Sequence, residues 1–220
     1  EEGPPPGEEG GARLMVKEGV LENPKVDAIF GLHIRSGSHV GKITYKPGGM
    51  LASSQRFVIN VKGKQAHGST PWKSIDPIVV SAQIINGLQT LISRESELTK
   101  EGAVITIGSI HSGIRFNIIP EHLEMVGTIR TLDKEMKELL RNRMNEMVPS
   151  IAKAYRAEAT LDIQDGADVT FNNLALTKQM LPTLERAAGK ANVNIMDALT
   201  LAEDFSYFQN EIPGFFFFLG

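Results

Sequence analysis

Apolar positions between residues 55 and 92 change from an alternating to a helical period. Residues 55–61 alternate, with Phe57, Ile59 and Val61 on one face, which predicts a strand. Asp76 and Pro77 then form an N-cap followed by proline at the first helical position, and apolar residues recur at helical spacing as far as residue 92. The pattern predicts a strand followed by an amphipathic helix.

The next part of the chain continues with three strands and one long helix. Alternation over residues 103–110 and 122–130 predicts two strands. Asp133 is placed to cap a helix that runs to residue 151, and Pro149 should kink or divide it. Alternating apolar residues at 157–163 predict a closing strand.

The resulting order, β-α-β-β-α-β, is that of a ferredoxin-like unit with two helices on one face of a four-stranded antiparallel sheet. We therefore expect an inserted α+β domain at residues 52–165. Residues 1–51 and 166–220 would then be the two parts of a second, α/β domain. We expect the inserted unit to have an exposed strand edge or helix face through which two chains pair.

The flanking segments carry patterns of their own. A short helix is expected at residues 10–16, and the apolar run at 26–34 predicts a buried strand that ends at His33 and a ligand-binding edge. In the second part, helices are expected at 173–188 and 202–209. The apolar run at 215–219 is typical of a buried parallel strand.

Composition excludes several classes of function. The net charge of −3 and the scattered Lys and Arg residues argue against nucleic acid as a partner. No apolar run reaches the length needed to span a bilayer. With no cysteine in the chain, any bound metal must be held by His, Asp and Glu side chains.

Glu1, Glu2 and His33 are the first candidates for chemistry. Hydrolysis at a metal needs ligands and also a free carboxylate that deprotonates water, and an adjacent Glu pair can provide one of each. A second pair, Glu8 and Glu9, is well placed to cap the first helix, but it stays open as the functional pair. His39 is interpreted as a solvated loop residue.

A second set of candidates lies in the inserted unit. His67 follows a strand, Asn117 occupies a turn between strands, and Arg130 lies on the polar face of the next strand. Each has an ordinary interpretation as a loop, turn or surface residue. Together, imidazole, amide and guanidinium groups could bind a carboxylate and stabilise an oxyanion.

Several stretches jointly resemble one enzyme family along essentially the whole chain. They are EEG, GGARLMVKEGVLENPKVDAIFGLHI, GKQAHGSTPW, FNIIP, GTIRTLD and AEDFSYFQNEIPGFFFFLG. They are similar to the metal-dependent aminoacylase, hippurate hydrolase and auxin-conjugate amidohydrolase branch of the zinc carboxypeptidase clan. The resemblance implies a di-metal aminopeptidase-like α/β catalytic domain, here partial, with an inserted ferredoxin-like lid and dimerisation domain.

The resemblance also implies roles for individual residues. Glu1 would be the general base, and Glu2 and His33 would be metal ligands. His67 would reach the active site of a partner subunit and polarise the scissile carbonyl. The residues implied in substrate binding are Asn117, Arg130 and Glu203, the last on the pocket wall.

The expected activity is hydrolysis of N-acyl amino acids or related small amides by a homodimer. The expected cofactor is two Zn²⁺ ions, with Mn²⁺, Co²⁺ or Ni²⁺ as alternatives. The family's Gln-Pro-Ala strand before the Glu pair and its His-containing ligand segments are absent, so the chain is expected to be an internal fragment. The alternative is therefore a non-catalytic dimerising lid or binding module, or a degenerate relative that binds acyl amino acids without cleaving them. We expect a cytoplasmic location, with periplasm and secretion left open because the chain starts without Met.

Overall fold

The computed structural model describes residues 11–97 and 99–220. Contacts divide the chain into two compact units: unit 1 contains residues 1–54 and 166–220, and unit 2 contains Gln55–Asp165. Glu1 and Glu2 lie outside the described residues, as do Glu8 and Glu9. Unit 2 is built around one buried apolar cluster and unit 1 around two.

The described residues form strands β1 to β12 and helices α1 to α5. The strands are β1 (Ile29–Ile34), β2 (Ile43–Tyr45), β3 (Gly48–Leu51), β4 (Gln55–Lys62), β5 (Ala66–His67), β6 (Ala103–Ser112), β7 (Ile118–Ile119), β8 (His122–Thr131), β9 (Glu158–Asp165), β10 (Thr170–Asn172), β11 (Val193–Ile195) and β12 (Gly214–Leu219). The helices are α1 (Gly11–Lys17), α2 (Pro77–Thr90), α3 (Lys134–Ala154), α4 (Leu174–Ala188) and α5 (Ser206–Glu211).

Unit 2 contains the predicted four-stranded antiparallel sheet, in the order β6-β8-β4-β9. Alternation gives the two central strands, β4 and β8, a buried and an open face. In β4, Phe57, Ile59 and Val61 are buried while Arg56 and Asn60 are exposed. The buried face packs against α2 and α3 in one cluster. The mixed fold class predicted from periodicity is confirmed.

Both helices of unit 2 begin where the sequence predicts. The Asp76 carboxylate accepts from the backbone N–H of Ile78 at 2.9 Å, and Pro77 occupies the first helical turn. The Asp133 carboxylate accepts from Met136 N–H at 2.8 Å. Each side chain satisfies a backbone donor that the helix leaves without an internal partner.

Pro149 does not divide α3, so that part of the prediction is wrong. The helix runs unbroken from Lys134 to Ala154 with Pro149 inside it. Met144, Val148 and Ala152 are fully buried on either side of the proline. This packing outweighs the hydrogen bond that a proline without an N–H cannot make.

Unit 2 also contains a small two-stranded sheet. Strands β5 and β7 pair antiparallel, with His67 opposite Ile118. The N–H of Gly68 donates to the carbonyl of Asn117 at 2.8 Å. A Cβ at Gly68 would lie 3.2 Å from that carbonyl oxygen, so the close approach of the two loops favours glycine.

Unit 1 is centred on a four-stranded mixed sheet in the order β1-β12-β2-β11. Strand β12 pairs parallel with β1 and antiparallel with β2, and β11 pairs parallel with β2. The phenylalanines of β12 supply both clusters of this unit: Phe216 and Phe218 pack with Met50 and Leu51, while Phe215 packs with other strands and α4. The prediction of a buried parallel strand at 215–219 is confirmed.

Two predictions for unit 1 are wrong in detail. Strand β1 is not buried, because it pairs only with β12 within the described residues, and Leu32 and Ile34 are 52% and 71% exposed. Helix α5 starts at Ser206 rather than at residue 202. Residues 202 and 203 lead into the helix as non-helical chain.

No helix among the described residues combines the length and the apolar character that crossing a bilayer requires.

Candidate active site

His33 lies near the carboxyl end of β1. Its register partner on the parallel strand β12 is Phe218, and the two rings meet edge to face with centroids 5.9 Å apart. The carboxyl edge of parallel strands is where ligands bind in open α/β sheets. The ring of His33 is 57% exposed at that edge.

Glu203 reaches the same edge from the other end of the chain. It precedes α5, and α5 leads into β12, which runs parallel with β1. A helix that leads into a parallel strand starts at the carboxyl edge of the sheet. The residues just before α5 therefore lie at the same edge as His33. The Oε2 atom of Glu203 lies 3.2 Å from Nδ1 of His33, and the Glu203 side chain is only 17% exposed.

Asp204 fixes this segment against α1. Its Oδ2 atom accepts from the backbone N–H of Ala12 at 3.1 Å. Burial raises the pKa of Glu203, and a hydrogen bond with Asp204 raises it further. The carboxyl group of Glu203 is therefore held in place between Asp204 and His33.

The contact between His33 and Glu203 has the chemistry of a supported metal ligand. A histidine that donates Nδ1–H to a carboxylate keeps Nε2 free, and metal-bound histidines in proteins are commonly oriented in this way. No group of three or more His, Asp or Glu side chains that could hold a metal ion converges within residues 11–97 and 99–220. The described residues thus fit part of a ligand set, and the predicted ligand Glu2 lies outside them.

His67 and Asn117 come together in unit 2. They belong to the paired loops around β5 and β7, where Gly68 bonds to the Asn117 carbonyl and His67 lies opposite Ile118. The ring of His67 is exposed, and its Nδ1 atom lies 2.7 Å from Ser69 Oγ. The predicted turn position of Asn117 is confirmed.

Arg130 lies in the four-stranded sheet, near the end of β8 that is farther from β7. It is on the open face of β8, as predicted, and its guanidinium donates to Thr128 Oγ1 and to the carbonyl of Ile129. Strand β4 ends at Lys62, which pairs with His122, the first residue of β8. His67 follows five residues after Lys62. At about 3.3 Å per residue, the ends of β8 marked by His122 and Arg130 are about 26 Å apart.

The pairing of His33 with Glu203 was not part of the sequence prediction, which placed Glu203 on the substrate wall. The signal that could have revealed it is topological. His33 lies near the end of one strand, and a helix followed by a parallel strand comes much later in the chain. This order places the residues before that helix at the carboxyl edge of the sheet, where His33 lies.

Comparison with known proteins places the chain in a family. Peptidase family M20/M25/M40 matches residues 1–220. The chain belongs to this peptidase family. Its similarity to a metal-dependent amidohydrolase group, predicted from sequence motifs, is confirmed.

Curated M20 relatives include enzymes that act on peptides and on acylated amino acids. The chain is 37% identical over 212 residues to thermostable carboxypeptidase 2 of Saccharolobus solfataricus, covering 96% of this chain and 52% of that protein. It is 35% identical over 220 residues to N-acetyldiaminopimelate deacetylase of Geobacillus thermodenitrificans, covering 100% of this chain and 56% of that protein. The chain therefore spans slightly more than half the length of these relatives.

A solved M20 structure has the same fold. The YXEP protein of Bacillus subtilis, described as a dinuclear metal-binding peptidase, matches with a TM-score of 0.78 and 32% identity. The match covers 96% of this chain and 52% of that one. The fold of this chain thus corresponds to about half of that M20 protein.

Proposed function

We propose that the M20 protein to which this chain belongs hydrolyses the amide bond of N-acyl amino acids in a metal-dependent reaction. The observation that carries the proposal is the contact of His33 with Glu203 at the carboxyl edge of the unit 1 sheet. It gives a partly exposed imidazole the orientation that a metal ligand needs. The deacetylase and carboxypeptidase relatives support amide hydrolysis.

The proposed cofactor is a pair of divalent ions, Zn²⁺ in the first instance. His33 would offer Nε2, Glu203 would hold the ring through Nδ1, and Glu2 would add a carboxylate. A bound divalent metal supplies polarisation of the scissile carbonyl and a lower pKa for water. The dinuclear relative from Bacillus subtilis supports the assignment of a metal.

Glu1 is the proposed general base. It would take a proton from the water that forms the new C–O bond and pass it to the amine nitrogen as the C–N bond breaks. An adjacent residue, Glu2, would serve as ligand. The assignment of different roles to Glu1 and Glu2 is supported by the EEG motif, which resembles a motif of the peptidase family that the chain matches.

Substrate recognition is assigned to residues of unit 2. The Nε2–H of His67 and the amide of Asn117 would donate to the carbonyl oxygen as it gains negative charge. Arg130 would bind the free carboxylate, because guanidinium offers two parallel donors. Arg130 already has its donors directed along the open face of β8.

Two protomers are needed for this set of roles to meet on one small substrate. Arg130 lies near one end of β8, and the chain at the other end of β8, about 26 Å away, connects to β7 and its partner β5, which contains His67. This distance exceeds the length of an N-acyl amino acid. We therefore assign His67 and Asn117 of one protomer to the substrate held by Arg130 of its partner. The protein would act as a homodimer.

Unit 2 has a surface suited to such pairing. The exposed residues of α2 carry no charge; they are Ile78, Val79, Ala82, Gln83, Asn86, Gln89 and Thr90. Within the described chain, the ten-residue strand β6 has β8 as its one strand partner. An uncharged helix face and an unpaired strand edge favour association of two copies.

The function is tested with the full-length protein that contains this chain. An N-acetyl amino acid is the substrate, and release of the free amine is the readout. We expect turnover that a chelator abolishes and Zn²⁺ or Mn²⁺ restores. Turnover that persists after complete metal removal would contradict the metal dependence of the proposal. Tight substrate binding with no cleavage at any metal loading would contradict hydrolysis and support a binding module. The cytoplasmic location stays a prediction, which fractionation of the source cells tests.

A further inference from the structure

Two donors from Ser69 converge on one ring nitrogen of His67. The backbone N–H of Ser69 donates to Nδ1 at 3.1 Å, and Ser69 Oγ lies 2.7 Å from the same atom. A backbone N–H is always a donor and never an acceptor. The Nδ1 atom of His67 must therefore accept, which means that it carries no proton in this arrangement.

The backbone of His67 is held by Thr70. Both the N–H and Oγ1 of Thr70 donate to the His67 carbonyl, at 2.9 Å and 3.2 Å. This bond from residue 70 to residue 67 closes a tight turn. The ring and the carbonyl of His67 are thus each fixed from within the segment His67–Thr70.

The consequence for the imidazole is a defined tautomer. A neutral ring has one protonated and one bare nitrogen, and the hydrogen bond made by one nitrogen decides which is which. Since Nδ1 accepts, the proton of neutral His67 lies on Nε2. The exposed ring then presents a donor away from the loop.

We propose that Ser69 is a positioning residue that keeps His67 in the Nε2–H form and fixes the direction of that donor. This inference rests on the proposed function, in which Nε2–H of His67 donates to the substrate carbonyl oxygen. The opposite tautomer would present a lone pair to a developing oxyanion and repel it. Ser69 would act through His67 and would not touch the substrate.

The tautomer is measured by ¹⁵N NMR of histidine-labelled protein, using the 220-residue chain at about pH 9, where imidazole is ordinarily neutral. His67→Gln assigns the signal. We expect His67 to be protonated at Nε2. Ser69→Ala removes the hydroxyl contact and keeps the backbone N–H donor. The Nε2–H form should therefore stay the major one, while the tautomer ratio shifts toward Nδ1–H by about 2- to 12-fold, the range for one hydrogen bond. Ser69→Thr should retain the native ratio.

Thr70→Val is the matched control, because it removes the neighbouring hydroxyl that bonds to the carbonyl of His67 and leaves the ring contacts intact. It should leave the tautomer ratio unchanged. An Nδ1–H ring in the unmodified chain, or the same ratio before and after Ser69→Ala, would overturn the proposal.

Kinetics of the full-length enzyme supply a second readout. Ser69→Ala should lower kcat by about 2- to 12-fold with KM little changed, and Ser69→Thr should restore kcat. A rise in KM alone would contradict a role in the transition state. If His67→Gln leaves turnover intact, the proposed role of His67 fails, whereas the NMR result still decides whether Ser69 sets the tautomer.

Discussion

His33 Nδ1 lies 3.2 Å from Glu203 Oε2, and this contact joins the end of β1 to the segment that precedes α5. In the proposed site, that contact holds the histidine so that Nε2 faces a metal. The two residues are distant in sequence, one in each part of unit 1. Their meeting depends on the parallel pairing of β1 with β12.

Glu203→Ala should therefore weaken metal binding by the full-length enzyme. Loss of a carboxylate that orients a histidine ligand typically lowers affinity about 10- to 100-fold. Titration of the metal-free enzyme with Zn²⁺ measures the effect. Glu18→Ala, which removes an exposed carboxylate of the same unit, is the control. Equal affinities in the two variants would show that Glu203 does not support His33.

Arg130→Lys should raise KM for N-acyl amino acids and spare uncharged amides. Lysine keeps the charge but cannot form two parallel bonds to a carboxylate. Steady-state kinetics on a matched acid and amide substrate pair separate these effects. Arg56→Lys alters an exposed arginine on the same open face and should change neither KM. Equal loss on both substrates would reject the assignment of Arg130.

Association of two chains should depend on the uncharged face of α2. Val79→Glu places a charge on that face and should shift a dimer to monomer in light scattering. Leu139→Glu adds the same charge to an exposed position of α3 and should leave the dimer intact. A strict monomer of the unmodified protein at all practical concentrations would remove the role of His67 in a partner's site.

Asp165 should make the stability of unit 2 dependent on acid pH. Burial alone would raise the pKa of Asp165, but hydrogen bonds from Arg141 and Gln55 outweigh it and lower the pKa below the ordinary 3.8. The stabilisation is thus present above about pH 4 and is lost as pH falls through the lowered pKa.

Urea unfolding of the 220-residue chain at a series of pH values measures this effect. Asp165→Asn should lower stability at neutral pH and flatten the acid dependence. Asp162→Asn, an exposed residue of the same strand, should behave as the unmodified chain. A similar acid dependence with and without Asp165 would contradict the expectation.

Local signals in the sequence were sufficient to predict most of unit 2. The Asp76 and Asp133 caps mark helix starts, and alternation assigns the faces of β4 and β8, because both depend on neighbours along the chain. Pro149 shows where such local signals fail. Its effect on α3 is decided by packing around Val148, which involves residues distant in sequence.

The candidate site depended more on long-range arrangement. Periodicity located His33 at a strand end, but an apolar run does not reveal how many partners its strand has, and β1 proved exposed. The separation of Arg130 from His67 followed only from strand register. The contact with Glu203 likewise required the sheet order.

The proposed roles of Glu1 and Glu2 predict different effects when each carboxylate is replaced. In the full-length enzyme, Glu2→Gln should lose metal as well as turnover, because it removes a ligand. Glu8→Gln and Glu9→Gln should cost only about 0.3–1 kcal/mol of helix stabilisation. Collapse of activity on changing Glu8 or Glu9, with Glu1 and Glu2 tolerant, would show that the other pair is functional.

Metal-dependent hydrolysis with Glu1 as general base is best tested by the metal content and turnover of Glu1→Gln, measured alongside the unmodified full-length enzyme. A general base that is not a ligand can be removed without releasing the metal. We expect unchanged bound metal and a turnover of an N-acyl amino acid lower by about 100-fold or more. Unchanged turnover, or loss of metal in parallel with activity, would contradict the assignment.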